Sequence, residues 1–375
     1  MKAVIIIPTY NERENVQKLI PELIKSVEAG YSGDFEVLIV DGNSPDGTGE
    51  VIQNFSKQYK NVHLLLEPEK RGLGAAYVYG FKHAMSEMGA DIIVEMDADF
   101  QHNPQMVPVL LNEIEMGADY VVGSRFVKGG SIPKEWSLKR KFLSIGGNIF
   151  SKLVLGILNV NDFTSGFKAS RVKGFVDQLD LDNVLSQGFA YKIDLLFRMH
   201  RLGAKIKEVP INFALRDRGD SKMEKNNMLD SLRVVFALRM RELERFIKFG
   251  LVGFLGFFSD IGLFNLFLWA TSLGETRSSS LSGFIAINVT YLFNNFWSFN
   301  KQKISDPIKI LKKAPVYYVI SYIPIYFRSS VLIPLALKTF GDSPFVSNTA
   351  FIMGVAVGLV WNFFFYSKIV WKNHD

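Results

Sequence analysis

Short apolar runs and amphipathic stretches alternate along the first half of the chain. The runs AVIIIP, FEVLIVD, NVHLLLE, ADIIVEMD and ADYVVGS have the length and composition of buried strands. Between them, apolar residues recur with helical spacing in segments that include 16–28, 74–88 and 104–116. Such alternation is typical of a parallel sheet covered by helices on both faces. The pattern therefore predicts an α/β domain, which we place at residues 1–225.

The pattern changes beyond residue 245, where apolar residues form long blocks. No charged residue occurs in 278–300 or in 343–367, and buried helices of soluble proteins seldom stay uncharged over such lengths. A helix that crosses a bilayer needs about 20 apolar residues. We predict an all-α transmembrane domain over 246–375, preceded by a juxtamembrane connecting helix at 226–245. Its four helices are predicted at 246–270, 281–299, 315–337 and 345–369.

Basic residues in the loops predict how this domain is oriented. They cluster before the first predicted span, between the second and third, and after the fourth, whereas each of the other two loops carries one. Loops rich in Lys and Arg stay on the cytoplasmic side of a membrane. The amino-terminal domain is therefore expected on the cytoplasmic side. The clustered residues are Arg239, Arg241, Arg245, Lys248, Lys301, Lys303, Lys309, Lys312, Lys313, Lys368 and Lys372.

Polar residues follow each of the first four predicted strands. They read PTYNE, DGNSPDG and EKRGLG, and the fourth strand ends in Asp97, Ala98 and Asp99. The carboxyl ends of parallel strands meet at one edge of a sheet, where ligands bind in folds of this kind. An isolated D-x-D is most often a solvated turn, but four polar segments at one edge predict a binding site.

Composition narrows the chemistry of that site. The chain has no cysteine, which excludes disulfides, zinc–thiolate sites and thiol nucleophiles. Carboxylates suit a hard divalent cation, Mg²⁺ or Mn²⁺, that also binds substrate phosphates. The sequence has neither a GxxxxGK[ST] loop nor a complete GxGxxG fingerprint, so we reject a dinucleotide-binding fold. The net charge is +6, but the basic residues do not form a stripe interleaved with aromatic residues. We therefore expect no nucleic-acid partner.

Several motifs together resemble the polyprenyl-phosphate hexose synthases, and among them the dolichol-phosphate mannose synthases. They are IIIPTYNERENV, VDGNSPDGT, RGLGAAYVYGF, MDADFQHNP, VVGSRFVKGG, DFTSGFKAS and RDRGDSKM. The carboxyl-terminal part is similar to membrane domains fused to such enzymes. The resemblance implies an A-type nucleotide-sugar glycosyltransferase fold with a mostly parallel sheet. It also implies metal-dependent, inverting transfer of mannose from GDP-mannose to dolichyl or polyprenyl phosphate at the cytoplasmic membrane face.

The same resemblance implies roles for individual residues. Asp99 and Arg125 would be catalytic, and Asp97, Asp99 and Gln101 would hold the metal. Together with Arg125, the basic residues Lys139 and Arg140 of the amphipathic segment 137–157 are predicted from that pattern to receive the acceptor phosphate. The nucleotide sugar would be bound by Pro8, Tyr10, Glu12, Ile39, Asp41, Lys70, Asp97, Ala98, Asp99, Gln101, Arg125, Arg216 and Lys222.

Two features favour a lipid phosphate as the acceptor. Related transferases with sugar acceptors carry a Glu-Asp pair, with the Asp as general base, where this chain reads SQGFAYKID. A phosphate monoester is mostly dianionic at pH 7, so it needs no such base. Residues 137–157 interleave basic and apolar residues, which indicates an amphipathic helix at the bilayer surface. The alternative for this segment is an ordinary helix that faces the core.

Some residues keep two interpretations. His102 is expected to be a polar loop residue, the alternative being a metal ligand. Lys168 has two equal interpretations: it contacts the acceptor phosphate, or it is a solvated surface charge. Arg218 and Asp220 are expected to shape their loop. Inside the predicted spans, Asp260 and Arg328 reach similar depths and are expected to pair, since an ionised residue in the bilayer usually has a partner. The alternative is that each separately contacts backbone carbonyls, lipid headgroups or water.

Two alternatives to the function also stay open. The first is the same chemistry with UDP-glucose as donor. The second, of another class, is a lipid-carrier translocase whose first domain only binds a sugar nucleotide.

Overall fold

The computed structural model describes residues 1–215 and 225–372, without the side chains of residues 225 and 226. Within it the chain divides into two compact units, Met1–Met240 and Arg241–Asp375. The predicted site residues Arg216 and Lys222, and the predicted loop residues Arg218 and Asp220, lie outside the described residues.

The first unit is built on one mixed sheet. Its strands are β1 Ala3–Thr9, β2 Phe35–Asp41, β3 Val62–Leu66, β4 Ile92–Glu95, β5 Tyr120–Ser124, β6 Lys168–Arg171 and β7 Ile206–Pro210. They lie in the order β3-β2-β1-β4-β6-β5-β7. β6 runs antiparallel to both of its neighbours, and the other paired strands are parallel. The strands β1 to β4 therefore present their carboxyl ends at one edge.

Helices cover both faces of this sheet. They are α1 Arg13–Gly30, α2 Thr48–Gln58, α3 Leu73–Ser86, α4 Val107–Glu115, α5 Leu138–Leu155, α6 Tyr191–Arg201 and the start of α7 Lys225–Ala270. Leu23 of α1 and Leu110 of α4 belong to the apolar cluster on one face. Phe81 of α3, Leu196 of α6 and Val235 of α7 belong to the cluster on the other. Because successive strand residues point to opposite faces, β1 contributes Ile5 to the first cluster and Ile6 to the second.

The α/β class with a mostly parallel sheet, predicted from the pattern, is confirmed. The strands β6 and β7 and the helix α2 were not predicted. The β6 sequence KASR contains two charged residues, and β7 reads IKEVP, so neither resembles a buried apolar strand. Lys168 of β6 is nevertheless fully buried. Tertiary pairing with β4 and β5 thus overrides the local preference of these residues.

The second unit is helical. After α7 it contains α8 Gly274–Phe293, α9 Pro307–Phe327, α10 Ile333–Phe340 and α11 Pro344–Phe365. Three stretches of the described residues are long and apolar enough to cross a membrane, namely Asn227–Ala270, Pro307–Phe340 and Pro344–Val370. The predicted span 281–299, which falls on α8 and the π-helical turn after it, is not among them and stays a prediction. The predicted connecting helix 226–245 and first span 246–270 lie in the single helix α7.

The predicted ion pair between Asp260 and Arg328 is not formed. Asp260 Oδ1 instead accepts a hydrogen bond from Ser282 Oγ at 2.5 Å. The Arg328 guanidinium lies 4.3 Å from the ring centroid of Phe351, and its stem packs where Gly354 has no side chain. The two charges therefore find separate local partners.

Candidate active site

The loops at the carboxyl ends of β1, β2 and β4 have an unusual backbone. Asn11, Asn43 and Phe100 adopt positive φ angles of 58°, 55° and 60°, and among the described residues no other non-glycine residue does so. This region is costly for a bulky residue such as phenylalanine. Such strain persists where the surrounding structure imposes it, often at functional sites. All three turns lie at the edge where the sequence predicts binding.

A cavity of about 550 Å³ opens at this edge, within the usual size range of small-molecule sites. One part of its wall is polar and includes Tyr10, Lys70, Asp97, Gln101, His102, Arg125, Thr164 and Lys192. Another part is apolar and lies between α5 and the start of α7, with Leu143, Phe150, Phe189, Ile193, Met228, Leu232 and Val235. The cavity therefore suits a ligand that is charged at one end and apolar at the other.

Asp97 contacts Tyr77, His102 and Lys192. Its Oδ1 accepts a hydrogen bond from the Tyr77 hydroxyl at 3.0 Å, and its backbone N–H donates to His102 Nδ1 at 3.0 Å. The Lys192 ammonium lies 3.8 Å from Asp97 Oδ2. These contacts orient the carboxylate toward the cavity that it lines.

His102 is a loop residue, as the sequence predicted, and its buried side chain supports this loop. Its side chain is 1% exposed and stacks on Phe167 with a centroid separation of 5.0 Å. Burial disfavours the imidazolium and lowers the pKa of His102 to about 4. The neutral ring is the form that accepts the hydrogen bond from the Asp97 backbone.

Asp99 and Gln101 lie beside Asp97. Asp99 is nearly buried, and its Oδ1 accepts from the Gln101 backbone N–H at 3.1 Å. The Gln101 side-chain amide donates to the Ala214 carbonyl at 3.2 Å. No group of three or more His, Asp or Glu that could hold a metal occurs within the described ranges. Two carboxylates and an amide oxygen nevertheless suit Mg²⁺ or Mn²⁺, which complete their coordination with water and substrate phosphate.

Arg125 is fixed in the cavity wall by Asp162. Its Nε and Nη2 donate to the two carboxylate oxygens, each at 2.7 Å, and Nη2 also donates to Thr164 Oγ1 at 2.7 Å. Burial alone would raise the pKa of Asp162, but the charge and hydrogen bonds of Arg125 outweigh it and hold this pKa below its ordinary range. Asp162, which belongs to the DFTSGF segment, is a site residue that the sequence reasoning missed.

The remaining predicted nucleotide-sugar residues occupy different positions. Tyr10 and Lys70 line the cavity, with the Lys70 ammonium 3.2 Å from the centroid of the Tyr10 ring. Asp41 is buried, and its carboxylate accepts hydrogen bonds from Thr9 and Ser44. The others lie near the strand ends without lining the cavity: Pro8, Glu12, Ile39 and Ala98.

The two predicted acceptor-phosphate residues on α5 are separated by the structure. Arg140 lines the cavity, and its guanidinium lies 4.0 Å from the centroid of the Trp136 ring. Lys139, the preceding residue, is exposed and does not line the cavity. Successive helix residues point about 100° apart, and of these two it is Arg140 that faces the cavity.

Both interpretations of Lys168 are wrong. The residue is completely buried on β6, and its Nζ donates to the Lys192 carbonyl oxygen at 3.0 Å. Burial lowers the pKa of Lys168 to about 8, although the Glu95 carboxylate opposes this shift. Lys192 itself, in the first turn of α6, was not identified from the sequence. No motif marks it, because its proximity to Asp97 arises only in the folded chain.

The fold and this cavity define a class. A mostly parallel sheet with an acidic pair after β4 and a cavity at the strand ends is the architecture of A-type nucleotide-sugar glycosyltransferases. Sequence models of two families match the chain. The model described as glycosyl transferase family 2 matches residues 4–178, and the model described as GtrA/DPMS, transmembrane domain, matches residues 248–371.

Characterised proteins give a consistent result. An undecaprenyl-phosphate mannosyltransferase of Micrococcus luteus is 41% identical over 60% of this chain and 88% of its own length. A dolichol-phosphate mannosyltransferase of Pyrococcus furiosus is 31% identical over 90% of this chain and 96% of its own. The chain therefore belongs to glycosyl transferase family 2, in the branch that carries a GtrA/DPMS transmembrane domain. It is a glycosyltransferase and a membrane protein.

Solved structures resemble the chain more distantly. A mannosyltransferase of Pyrobaculum calidifontis, solved in complex with GDP-Man and Mn²⁺, superposes with a TM-score of 0.40 and 15% identity. The match covers 96% of this chain and 87% of that one.

Proposed function

We propose that this protein transfers mannose from GDP-mannose to dolichyl or another polyprenyl phosphate, with inversion at the sugar carbon. The observation that carries the proposal is the single cavity that joins acidic strand-end loops to an apolar cleft between α5 and α7. A water-soluble nucleotide sugar fits the polar part, and an isoprenoid phosphate fits both parts. The names of the two relatives support mannose and a polyprenyl phosphate as substrates.

The polar part of the wall is the proposed site of the nucleotide sugar. Tyr10 and Lys70 offer an aromatic face and a cation, and Asp41 holds the shape of its loop through hydrogen bonds to Ser44. Asp97, Asp99 and Gln101 would hold Mg²⁺ or Mn²⁺, which neutralises charge on the diphosphate leaving group when bound. Pro8, Glu12, Ile39, Ala98, Arg216 and Lys222 stay predicted contacts.

The apolar part is the proposed site of the isoprenoid chain. Phe150 lines the cleft and contacts Phe236 of α7, with ring centroids 5.5 Å apart, so an aromatic pair joins α5 to α7 beside the cleft. On the outer face of α5, a continuous stripe of exposed apolar residues runs along the helix: Leu138, Phe142, Ile145, Ile149 and Leu153. Their spacing places them on one side. A bilayer surface is the partner that such a stripe fits, with Lys139 beside it available to lipid headgroups.

The proposed chemistry is a displacement that needs no protein base. An oxygen of the acceptor phosphate forms the new bond to the anomeric carbon. The bond from that carbon to the diphosphate oxygen breaks, and its electron pair leaves with GDP. The acceptor oxygen is already ionised near neutral pH. Arg125, held rigidly by Asp162, would stabilise phosphate charge, so catalysis rests on alignment and electrostatics.

One assay tests the function directly. The full-length protein in detergent is given labelled GDP-mannose or UDP-glucose with dolichyl phosphate, with and without a chelator of divalent cations. Mannose should enter the lipid phase, and the chelator should stop it. Preferential incorporation of glucose would favour the UDP-glucose alternative. Binding of both nucleotides without any transfer would contradict an enzyme and favour the translocase.

We also propose the cytoplasmic orientation, the four spans, and the domain limits of 1–225, 226–245 and 246–375. Because the chain lacks cysteine, single cysteines can report the side of each loop. A membrane-impermeant maleimide should label Ser272→Cys and Asp342→Cys in intact cells, and Ser305→Cys only after permeabilisation. Labelling of Ser272→Cys and Ser305→Cys from the same side would mean that α8 does not span the membrane.

A further inference from the structure

The Lys192 ammonium is a buried charge that donates no hydrogen bond to the residues that the structure describes. Its side chain is 4% exposed, and within residues 1–215 and 225–372 its Nζ makes no hydrogen bond. Its nearest opposite charge, Asp97 Oδ2, is 3.8 Å away, whereas N–H···O hydrogen bonds measure about 2.7–3.2 Å. An ammonium group can donate three hydrogen bonds. Burying it with none of them made is costly, so the position calls for an anionic ligand.

The surroundings of Lys192 show where that ligand would lie. Its Nζ is 5.1 Å from the ring centroid of Phe189, and Phe189 and Ile193 line the apolar part of the cavity. On the other side the same ammonium approaches Asp97, at the polar part. Lys192 thus stands where the acidic loop meets the apolar cleft. An anion bound here would be continuous with an apolar chain in the cleft.

A glycine makes room for this ammonium. A Cβ atom at Gly166 would lie 2.2 Å from Lys192 Nζ and 3.0 Å from Asp97 Oδ2. The first distance is too short for any side chain at this position while Lys192 keeps its place, and the second is a tight contact. Gly166 therefore permits the approach of the cation to Asp97 and to the space in front of it.

We propose that Lys192 binds the phosphate of the isoprenoid acceptor, an assignment that rests on the proposed function. The chemistry of the reaction favours the acceptor over the donor diphosphate. The nucleophile is an anion whose chain must extend into the cleft beside Phe189 and Ile193, and Lys192 is the buried cation adjacent to both residues. A hydroxyl acceptor would require a proton acceptor at this place. A lysine ammonium instead holds an acceptor that arrives already ionised.

Equilibrium binding separates this role from sugar transfer. The full-length protein in detergent, with GDP present, is titrated with citronellyl phosphate and with citronellol, the same short isoprenoid without its phosphate. Wild type should bind the phosphate at least about tenfold more tightly than the alcohol, since a charge-assisted hydrogen bond contributes a factor of about 10–100. Lys192→Met should remove most of that preference, and Lys192→Arg should restore part of it. Lys82→Met, at an exposed lysine paired with Asp182, is the matched control and should change nothing.

Kinetics and nucleotide binding complete the test. In Lys192→Met the KM for dolichyl phosphate should rise about tenfold or more, while the affinity for GDP stays within about threefold. Gly166→Ala should produce a smaller rise of the same KM, because it displaces the ammonium. If Lys192→Met does not fold, Lys192→Gln is measured in its place.

Two results would overturn the assignment. An unchanged preference for phosphate over alcohol in the Lys192 variants would show that the anion binds elsewhere. A loss of GDP affinity equal to the loss of acceptor affinity would place Lys192 on the donor. The protein could also bind citronellyl phosphate through Lys192 and yet transfer no mannose from GDP-mannose. That result would support this assignment and contradict the proposed donor.

Discussion

The two units of the chain differ in the side chains that they expose. In Met1–Met240, apolar layers fill both faces of the sheet, and polar residues gather at one edge around the cavity. In Arg241–Asp375, large apolar residues such as Trp269 and Phe345 are exposed, at 86% and 79%. Hydrogen bonds join polar side chains inside that unit, for example Asn294 to Tyr317 and Asn295 to Trp371.

The two units differ in this way because one is surrounded by water and the other by the hydrocarbon of a membrane. In water, apolar burial drives folding, and polar groups can stay at the surface or at a site. In hydrocarbon, apolar side chains can face outward without a cost in free energy, whereas each polar group needs a hydrogen-bond partner inside the protein. A single chain therefore obeys two rules, and a substitution should act according to the unit in which it lies. The following substitutions test that difference.

The largest effect is expected at the polar edge of the first unit. Asp99→Asn keeps the side-chain shape but removes the charge, so mannosyl transfer should fall about a thousandfold or more, as for loss of a central electrostatic group. The exposed Asp182 gives the matched control, Asp182→Asn, which should retain full activity. Activity of the Asp99 variant within about tenfold of wild type would refute its role.

The buried pair of Arg125 and Asp162 should dominate the stability of the cavity wall. Arg125→Met leaves the Asp162 carboxylate buried without its counter-charge, which should cost about 3 kcal/mol. The double change Arg125→Met with Asp162→Asn should cost less than the single change, because no charge is stranded. Amide hydrogen exchange in β1 and β2 of the full-length protein measures both. Equal losses in the two variants would argue against the charge as the cause.

His102 should make the first unit sensitive to acid. Its folded pKa of about 4 lies below the ordinary value of about 6.5, so the unfolded chain binds the proton more readily. The stability that this depressed pKa reflects is present above pH 6.5 and is lost as the pH falls toward 4. Between pH 7 and pH 5 the loss should be about 2 kcal/mol.

The comparison of wild type with His102→Asn isolates this contribution from those of other groups. The same hydrogen-exchange measurement is made on both proteins at pH 7 and pH 5, with intrinsic exchange rates corrected for pH. The variant should lose about 2 kcal/mol less than wild type over this range. Identical pH dependence in the two proteins would mean that His102 titrates as an exposed imidazole.

In the second unit, the hydrogen bonds of the buried Asn295 side chain should matter more than those of an exposed amide. Its side chain pairs with both backbone groups of Ile304 and accepts from Trp371 Nε1. Asn295→Ala should lower stability in detergent by about 1.5 kcal/mol. Asn265→Ala removes an exposed amide that donates to Ile261 of its own helix, and should change stability by less than about 0.5 kcal/mol. Similar losses of stability in both variants would show that a buried amide contributes no more than an exposed one in this unit.

The smallest effect is an absence of coupling between Asp260 and Arg328. Since each has its own local partner, the losses from Asp260→Asn and Arg328→Gln should add within about 0.5 kcal/mol in the double variant. Thermal unfolding in detergent measures all three proteins. A double variant that is more stable than either single variant would restore the ion pair that the sequence predicted.

Sequence reasoning identified the elements whose signal is local. The strands β1 to β5 are apolar runs, α5 has an amphipathic pattern, and the long uncharged blocks indicate the membrane domain. The strand-end position of Asp97 and Asp99 followed from the same pattern, because parallel strands end at one edge. Each of these conclusions depends on residues that are close together along the chain.

The tertiary structure decided what depends on distant residues. It buried Lys168 in a central strand, joined Arg125 to Asp162, and brought Lys192 within 3.8 Å of Asp97. It also gave Asp260 and Arg328 separate partners. A local pattern shows which segments of the chain are apolar and which are polar. The sequence by itself therefore determined which unit lies in water and which lies in the membrane, and it determined the α/β architecture of the first unit. Which charge faces which depends on how strands and helices far apart in the chain are packed, and only the folded chain supplies those distances.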